Sequence, residues 1–246
     1  MTEEPYRWLE AVENRREYVR EQIRGGTPVL AACLNDGILL LGVGSGQSKI
    51  FEVHDREAMA ALGHPADIEK VRQAAVDAAH IEAFTRAAED ITVRRLVSFN
   101  LGPLLKQQFE QLFSAPFLGE FLFAELGRSR DEDVLVNLHF DGSFELQSDG
   151  IGVAASDPEA AMAAQRWLAS RIGADDPPQR VARALLYAWS LLVTRQSFSG
   201  ELPKDEERLD AWREAADGRV VELGWLDRNA RVAARFFAPS PEELEL

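Results

Sequence analysis

Apolar residues along this chain change their spacing in blocks, and the order of those blocks restricts the fold more than any other feature. From 5 to 24, Trp8, Val12, Val19 and Ile23 fall on one helical stripe, with Pro5 suited to a first turn. Gly25-Gly26 is expected to end this helix, because glycine accepts the left-handed conformation a helix terminus often needs. Two strand-like runs follow at 29–34 and 38–43, with Asn35-Asp36-Gly37 between them as hairpin-turn chemistry. Shorter runs at 49–53 and 58–62 predict two more strands, closed by Gly63-His64-Pro65.

Helical spacing then returns in Ile68, Val71, Ala75, Ala78 and Ile81, and again after Asp90 in Val93, Leu96, Leu104, Phe109 and Leu112. Pro103 removes a backbone donor and crowds the turn before it, which predicts a kink or break near Phe99. Strand patterns occupy 117–125, 134–140, 144–147 and 151–154, the middle pair joined at Asp141-Gly142. Helices are predicted at 158–171 and 177–195, each begun by an aspartate, Asp157 and Asp176, able to cap free amides. A last hairpin, 219–226 and 231–237, precedes an acidic segment read as a solvated end.

Helix, strands, two helices, strands, two helices, strands is not the alternation of a doubly wound parallel sheet. It predicts an α+β architecture in which two antiparallel sheets are covered by helix pairs, a four-layer αββα sandwich. With 246 residues, 46% apolar and no compositional break, the chain reads as one large core. A formal charge of -14 disfavours nucleic acid as a partner. A lone cysteine, Cys33, excludes an internal disulfide and reads as a small buried hydrophobe. The opening Met-Thr-Glu-Glu-Pro lacks a secretory pattern, and no apolar run approaches the roughly 20 residues of a membrane span, so a cytoplasmic protein without membrane association is expected.

Cofactor chemistry finds no support. Gly42-Val43-Gly44-Ser45-Gly46 leads into a strand pattern and not into a helix whose amides would hold phosphate. His54, His64 and His80 lack metal-ligand spacing, and His139 with Asp141 does not specify a metal site.

An ordered series of local motifs resembles the alpha-type subunits of bacterial 20S proteasomes. Tyr18-Val-Arg-Glu followed by Arg24-Gly-Gly-Thr27 resembles the end of that family's N-terminal helix. Asn35-Asp-Gly37 sits where the family has its first hairpin turn, and Ser48-Lys49-Ile50-Phe51 is similar to its Lys-Ile/Leu strand motif. Ala60-Ala-Leu-Gly63 with Asp67 resembles the turn opening the first central helix, and Gly150-Ile-Gly152 the glycine strand of the second sheet. Val221-Glu-Leu-Gly-Trp-Leu-Asp-Arg228 resembles the C-terminal hairpin of the bacterial kind, and so does Pro5-Tyr6 near the amino end. The resemblance implies the N-terminal-nucleophile hydrolase fold, with an N-terminal helix and gate over 1–26, the sandwich over 27–238 and an acidic tail over 239–246.

In catalytic relatives the Gly-Thr step is cut to free a threonine nucleophile, which needs its own amine as base, a lysine, and an acid to orient that lysine. Here Val43 falls where the acid belongs, and the 44–48 connection is expected to be too short to supply the lysine. Pro28 restricts Thr27 to extended conformations. Thr27 therefore reads as structural, and Gly63, which matches the oxyanion-hole glycine, as a tight strand-to-helix turn. The enzyme alternative is a self-processing threonine peptidase using Thr27 and Gly63 after cleavage at Gly26; a stand-alone ring scaffold is a third reading.

The alpha-type resemblance implies a non-catalytic homo-oligomer, a seven-membered ring that caps catalytic beta-type subunits, gates substrate access and receives the tails of an ATPase activator. By its strand motif Lys49 matches the lysine that contacts the tail's terminal carboxylate. The stripe of Trp8, Val12 and Val19 is available for a neighbouring subunit or for its own domain. No Tyr-Asp-Arg triplet precedes the helix, and an acidic plug formed by residues 1–4 would repel itself around a ring.

Overall fold

A computed structural model describes residues 4–85, 91–202 and 212–246. The segment α1 (Glu4–Ile23) leads into β1 (Val29–Leu34), β2 (Gly37–Gly44), β3 (Ile50–His54) and β4 (Glu57–Gly63). Then come α2 (Pro65–Thr85), α3 (Val93–Arg95) and α4 (Gly102–Glu110), followed by β5 (Gly119–Glu125), β6 (Val134–Leu138), β7 (Phe144–Gln147) and β8 (Ile151–Ala154). Next are α5 (Pro158–Ala169), α6 (Pro178–Val193) and α7 (Trp212–Ala216), and β9 (Val220–Asp227) and β10 (Phe236–Phe237) complete the sheets.

Two antiparallel sheets result, in the orders β10-β9-β2-β1-β8 and β3-β4-β5-β6-β7. The period of two divides each central strand between two environments. In β1, Leu30, Ala32 and Leu34 face a core shared with α5, α6 and α7, while Val29, Ala31 and Cys33 face the opposite sheet. In β5, Phe121 and Phe123 pack toward α2 and the α3–α4 helix, while Leu122 and Ala124 enter the inter-sheet core. Both faces of both sheets are thereby covered, which is the predicted αββα sandwich. The inter-sheet seam is narrow: a Cβ on Gly152 would lie 2.6 Å from Leu122 Cδ1.

Local departures from the sequence reading have identifiable causes. The helix does not break at Phe99 but widens into a π turn over Leu96–Leu101, in which the Gly102 amide donates to Val97 O, five residues back. Pro103 thus enters just after the wide turn, where its missing donor is accommodated. Neither Gly25 nor Gly26 is left-handed. Gly26 is needed for proximity instead, since a Cβ there would stand 3.0 Å from Ile23 O and 3.1 Å from Leu62 Cδ1. The first hairpin loop is Asn35-Asp36, with Gly37 already paired to Leu34 and carrying the close approach of β9: a Cβ on it would meet Leu226 O at 2.1 Å.

Asp157 caps α5 as expected, accepting from the Glu159 and Ala160 amides. Asp176 does not cap α6, whose first flanking residue is Pro177; its carboxylate accepts from the Gly173 amide at 2.7 Å and pairs with Arg180. Ile81 points outward, 67% exposed, and Ala79 takes the inward position on α2. On α4 the inward leucine is Leu105, not Leu104. The acidic end is not solvated throughout: Pro241–Leu244 forms a capped 3-10 turn, Leu244 packs into the helix-side core, and Arg183 Nη2 donates to Glu245 O at 2.9 Å.

Helix α1 is held against the sandwich from one side. Val19 and Ile23 are fully buried in the inter-sheet core, with Val12 partly buried beside them, while Trp8 stays 48% exposed. Arg15 gives this docking a polar lock by donating to Gln108 O, Leu112 O and Ser114 O, carbonyls left free where α4 ends. Arg16 adds an ion pair with Asp141 at 3.1 Å. Residues 1–3 of the expected gate, like the 86–90 stretch before the second helical run, lie outside the described residues.

Candidate functional site

At one end of the sandwich Thr27, Lys49 and Gly63 line a single cavity of about 530 Å³. Each arrives there for a local reason. Thr27 is the last residue before Pro28 and β1, held by the turn after α1. Gly63 ends β4 with φ at +135°, and a Cβ there would lie 2.1 Å from Leu118 O, so only glycine makes this turn beside β5. Lys49 immediately precedes β3, and its backbone is fixed from β9: Glu222 accepts from the Lys49 amide at 2.6 Å and from the Ile50 amide at 3.2 Å.

The sequence reading expected the 44–48 connection to supply no catalytic lysine and placed Lys49 in the next strand motif. Lys49 does reach Thr27, but at the wrong atom for catalysis. Its Nζ donates to the Thr27 carbonyl oxygen at 3.0 Å and to Ala61 O at 3.4 Å. The Thr27 hydroxyl donates to the carbonyl of Val43, so its proton faces an amide oxygen and not a base. The Val43 side chain, at the position an acid would occupy, is fully buried in the helix-side core. The Thr27 nitrogen is an amide in the uncut chain, so the amine that a threonine hydrolase uses as base is lacking.

Electrostatics set the Lys49 ammonium apart. Burial lowers its pKa to about 8, with Glu222 opposing that shift from a distance. Among the described residues no carboxylate lies within 4.0 Å of Nζ. Two of its three donors are taken by neutral carbonyls, leaving a partly desolvated cation at a cavity wall that feels the Glu222 charge but touches no carboxylate among the described residues. Glu222 itself is raised by burial, against the two amides that bind it.

Sequence reasoning missed Glu222 and Ala61 as partners of Lys49. Glu222 stood in the quoted C-terminal motif, but its role depends on Gly44 pairing with Val220, which brings the start of β9 alongside the loop before Lys49. It also missed three buried acids: Glu57, Glu120 and Glu125. Glu120 is paired with His139 at 2.7 Å, and Glu125 accepts from the Val93 amide at 2.8 Å. Among the described residues no group of three or more His, Cys, Asp or Glu side chains is arranged to hold a metal. No helix among them is long and apolar enough to cross a membrane.

Two face-to-face antiparallel sheets between helix layers, with a Gly-Thr step entering the first strand at the mouth, define the N-terminal-nucleophile hydrolase sandwich. No protein-family model matches the chain. Among individual proteins it is 31% identical over 223 residues to the proteasome subunit alpha of Paenarthrobacter aurescens, covering 80% of this chain and 93% of the relative. The proteasome subunit alpha of Pseudarthrobacter chlorophenolicus is 29% identical over 225 residues, 89% and 85% of the two chains. That of Thermomonospora curvata is 26% identical over 240 residues, 95% and 93%. The chain belongs to the bacterial proteasome alpha subunit family, the non-catalytic component of a threonine-protease complex.

Proposed function

We propose that this chain forms a ring, seven-membered as in its family, that caps catalytic beta-type subunits, controls substrate access and docks an ATPase activator through Lys49. The observation that carries the reading is the partly desolvated Lys49 ammonium at the cavity wall, with no carboxylate in direct contact among the described residues. A desolvated cation with no directly bonded anion favours a ligand that brings one, and a peptide's terminal carboxylate is small enough to enter beside Thr27 and Gly63. In this reading residues 1–26 are the gate and ring-contact segment, 27–238 the sandwich and 239–246 the tail. The exposed Trp8 and Leu9 of α1 supply apolar area for a neighbouring subunit. Thr27 and Gly63 serve as structural walls of the docking cavity.

The test pairs native mass spectrometry with tail binding. The wild-type chain should assemble as a single ring species that associates with a beta-type chain from the same cell. Lys49→Ala should leave ring number unchanged and weaken binding of an activator tail peptide about tenfold or more. Unchanged affinity would remove Lys49 from the docking role, and a monomeric wild-type chain would remove the ring.

A further inference from the structure

The Lys49 cavity has a second cation on its wall. Arg219, between α7 and β9, lines this cavity and also a larger groove of about 860 Å³ that continues past Gly25, Gly26 and Thr27 toward the start of α5. Its side chain is half-buried, and among the described residues its guanidinium makes one long bond, 3.4 Å to Ala215 O. Among the described residues no carboxylate lies within 4.0 Å of it. Glu69, the acidic residue among those lining the Lys49 cavity, is already engaged by Arg72 through two bonds of 2.6 and 2.7 Å. In a chain of net charge -14, two cations that touch no carboxylate among the described residues therefore line one opening, while Glu17, Glu21, Asp157 and Glu159 line the groove beyond it.

We propose that Arg219 is a second anion-binding residue of this site, and that the ligand is a peptide tail with an acidic side chain within a few residues of its terminal carboxylate. The inference rests on the reading of Lys49 as the carboxylate anchor. Lys49 acts as a point charge beside Thr27 and Gly63. The Arg219 guanidinium, a planar fork, takes a side-chain carboxylate where the cavity opens into the groove. Because an extended chain advances about 3.3 Å per residue, only an acid near the terminus reaches Arg219 while the terminus is seated. Tails that are neutral near the end lose this contact, which makes Arg219 a specificity residue.

Fluorescence anisotropy with labelled eight-residue peptides tests this on the full-length chain. The peptides end in leucine with a free carboxylate and carry one glutamate at the second, third or fourth position from the end. Each has a glutamine twin and an amidated twin. For at least one position, the glutamate peptide should bind the wild-type chain about fivefold more tightly than its glutamine twin. That preference should vanish in Arg219→Gln and persist in part in Arg219→Lys. Equal binding of the twins at all three positions, or a preference that survives Arg219→Gln, overturns the role of Arg219 while the Lys49 anchor stands. Amidation without effect overturns the anchor and this inference with it.

Discussion

Lys49 Nζ lies 3.0 Å from the carbonyl oxygen of Thr27, not from its hydroxyl. One ammonium therefore joins a residue entering the first sheet to Ala61 O in the second, at the mouth of the sandwich. The lysine is spent on geometry and charge, and the threonine is left with its proton on the carbonyl of Val43.

Replacing Thr27 should accordingly affect stability and not hydrolysis. Thr27→Val removes one hydrogen bond and leaves the Val43 carbonyl short of a donor, at a cost of about 1–2 kcal/mol. Intact mass should show no species lacking the first 26 residues, and peptide hydrolysis should be the same in wild type and variant. A truncated, active wild-type fraction that disappears in Thr27→Val would refute the structural assignment.

Lys49 should make stability rise at alkaline pH. Its pKa is about 8 in the fold against an ordinary 10.5, so the native state favours the neutral amine. The burial cost is present in full below pH 8 and is relieved as pH climbs from 8 toward 10.5, by at most about 3 kcal/mol. Denaturant titrations at pH 7.5 and 10 should show wild type gaining on Lys49→Met over this window.

Glu57 gives the opposite slope at lower pH. It is 1% exposed on β4, directly opposite Glu125 on β5, and burial followed by the Glu125 charge raises its pKa from 4.5 to about 7. The protonated form is favoured in the fold, so its contribution is complete below pH 4.5 and is lost as pH rises through 7. Glu57→Gln should flatten that loss and stabilise the chain at pH 8 by up to about 3 kcal/mol, measured against wild type at pH 5 and pH 8.

Arg228 should be among the costliest residues to truncate. Its guanidinium meets Asp133 at 2.7 and 2.9 Å and donates to Gly127 O, Asn35 O and Leu34 O, tying the first hairpin to the far sheet. Asp133 has no exposed side-chain surface, so Arg228→Ala strands a buried carboxylate. A loss of about 3–5 kcal/mol is expected in urea unfolding, largely recovered by the double replacement Arg228→Met with Asp133→Leu. Equal losses in the single and double variants would mean the ion pair is not the source.

What the sequence made legible follows the range of the interaction that decides each feature. Apolar runs around a turn signal located β1 and β2, and 3.6-residue spacing located α2, because each signal lies within its own element. Thr27, Lys49 and Gly63 were identified by motif, and the fold brings all three to one cavity. Features fixed by distant segments were not readable. Gly37 owes its identity to β9, nearly two hundred positions later, whereas the misplaced cap at Asp176 is a local competition, won by the Gly173 amide three residues before it. The Lys49–Thr27 contact and the support from Glu222 belong with Gly37, because they require both sheets to be in place.

The tightness of the seam between the sheets has an evolutionary corollary. Ala31, Ala58, Ala60 and Ala124 sit there alongside Gly152, which has no space for even a methyl group. The helix-facing layers hold the largest fully buried side chains, Trp189, Phe121 and Phe123, alongside alanines of their own, and exchanges there can be shared among neighbours. Divergence in this lineage should thus accumulate as compensated exchanges under the outer helices, while the small residues between the sheets stay nearly fixed and set the limit on how far such a chain drifts.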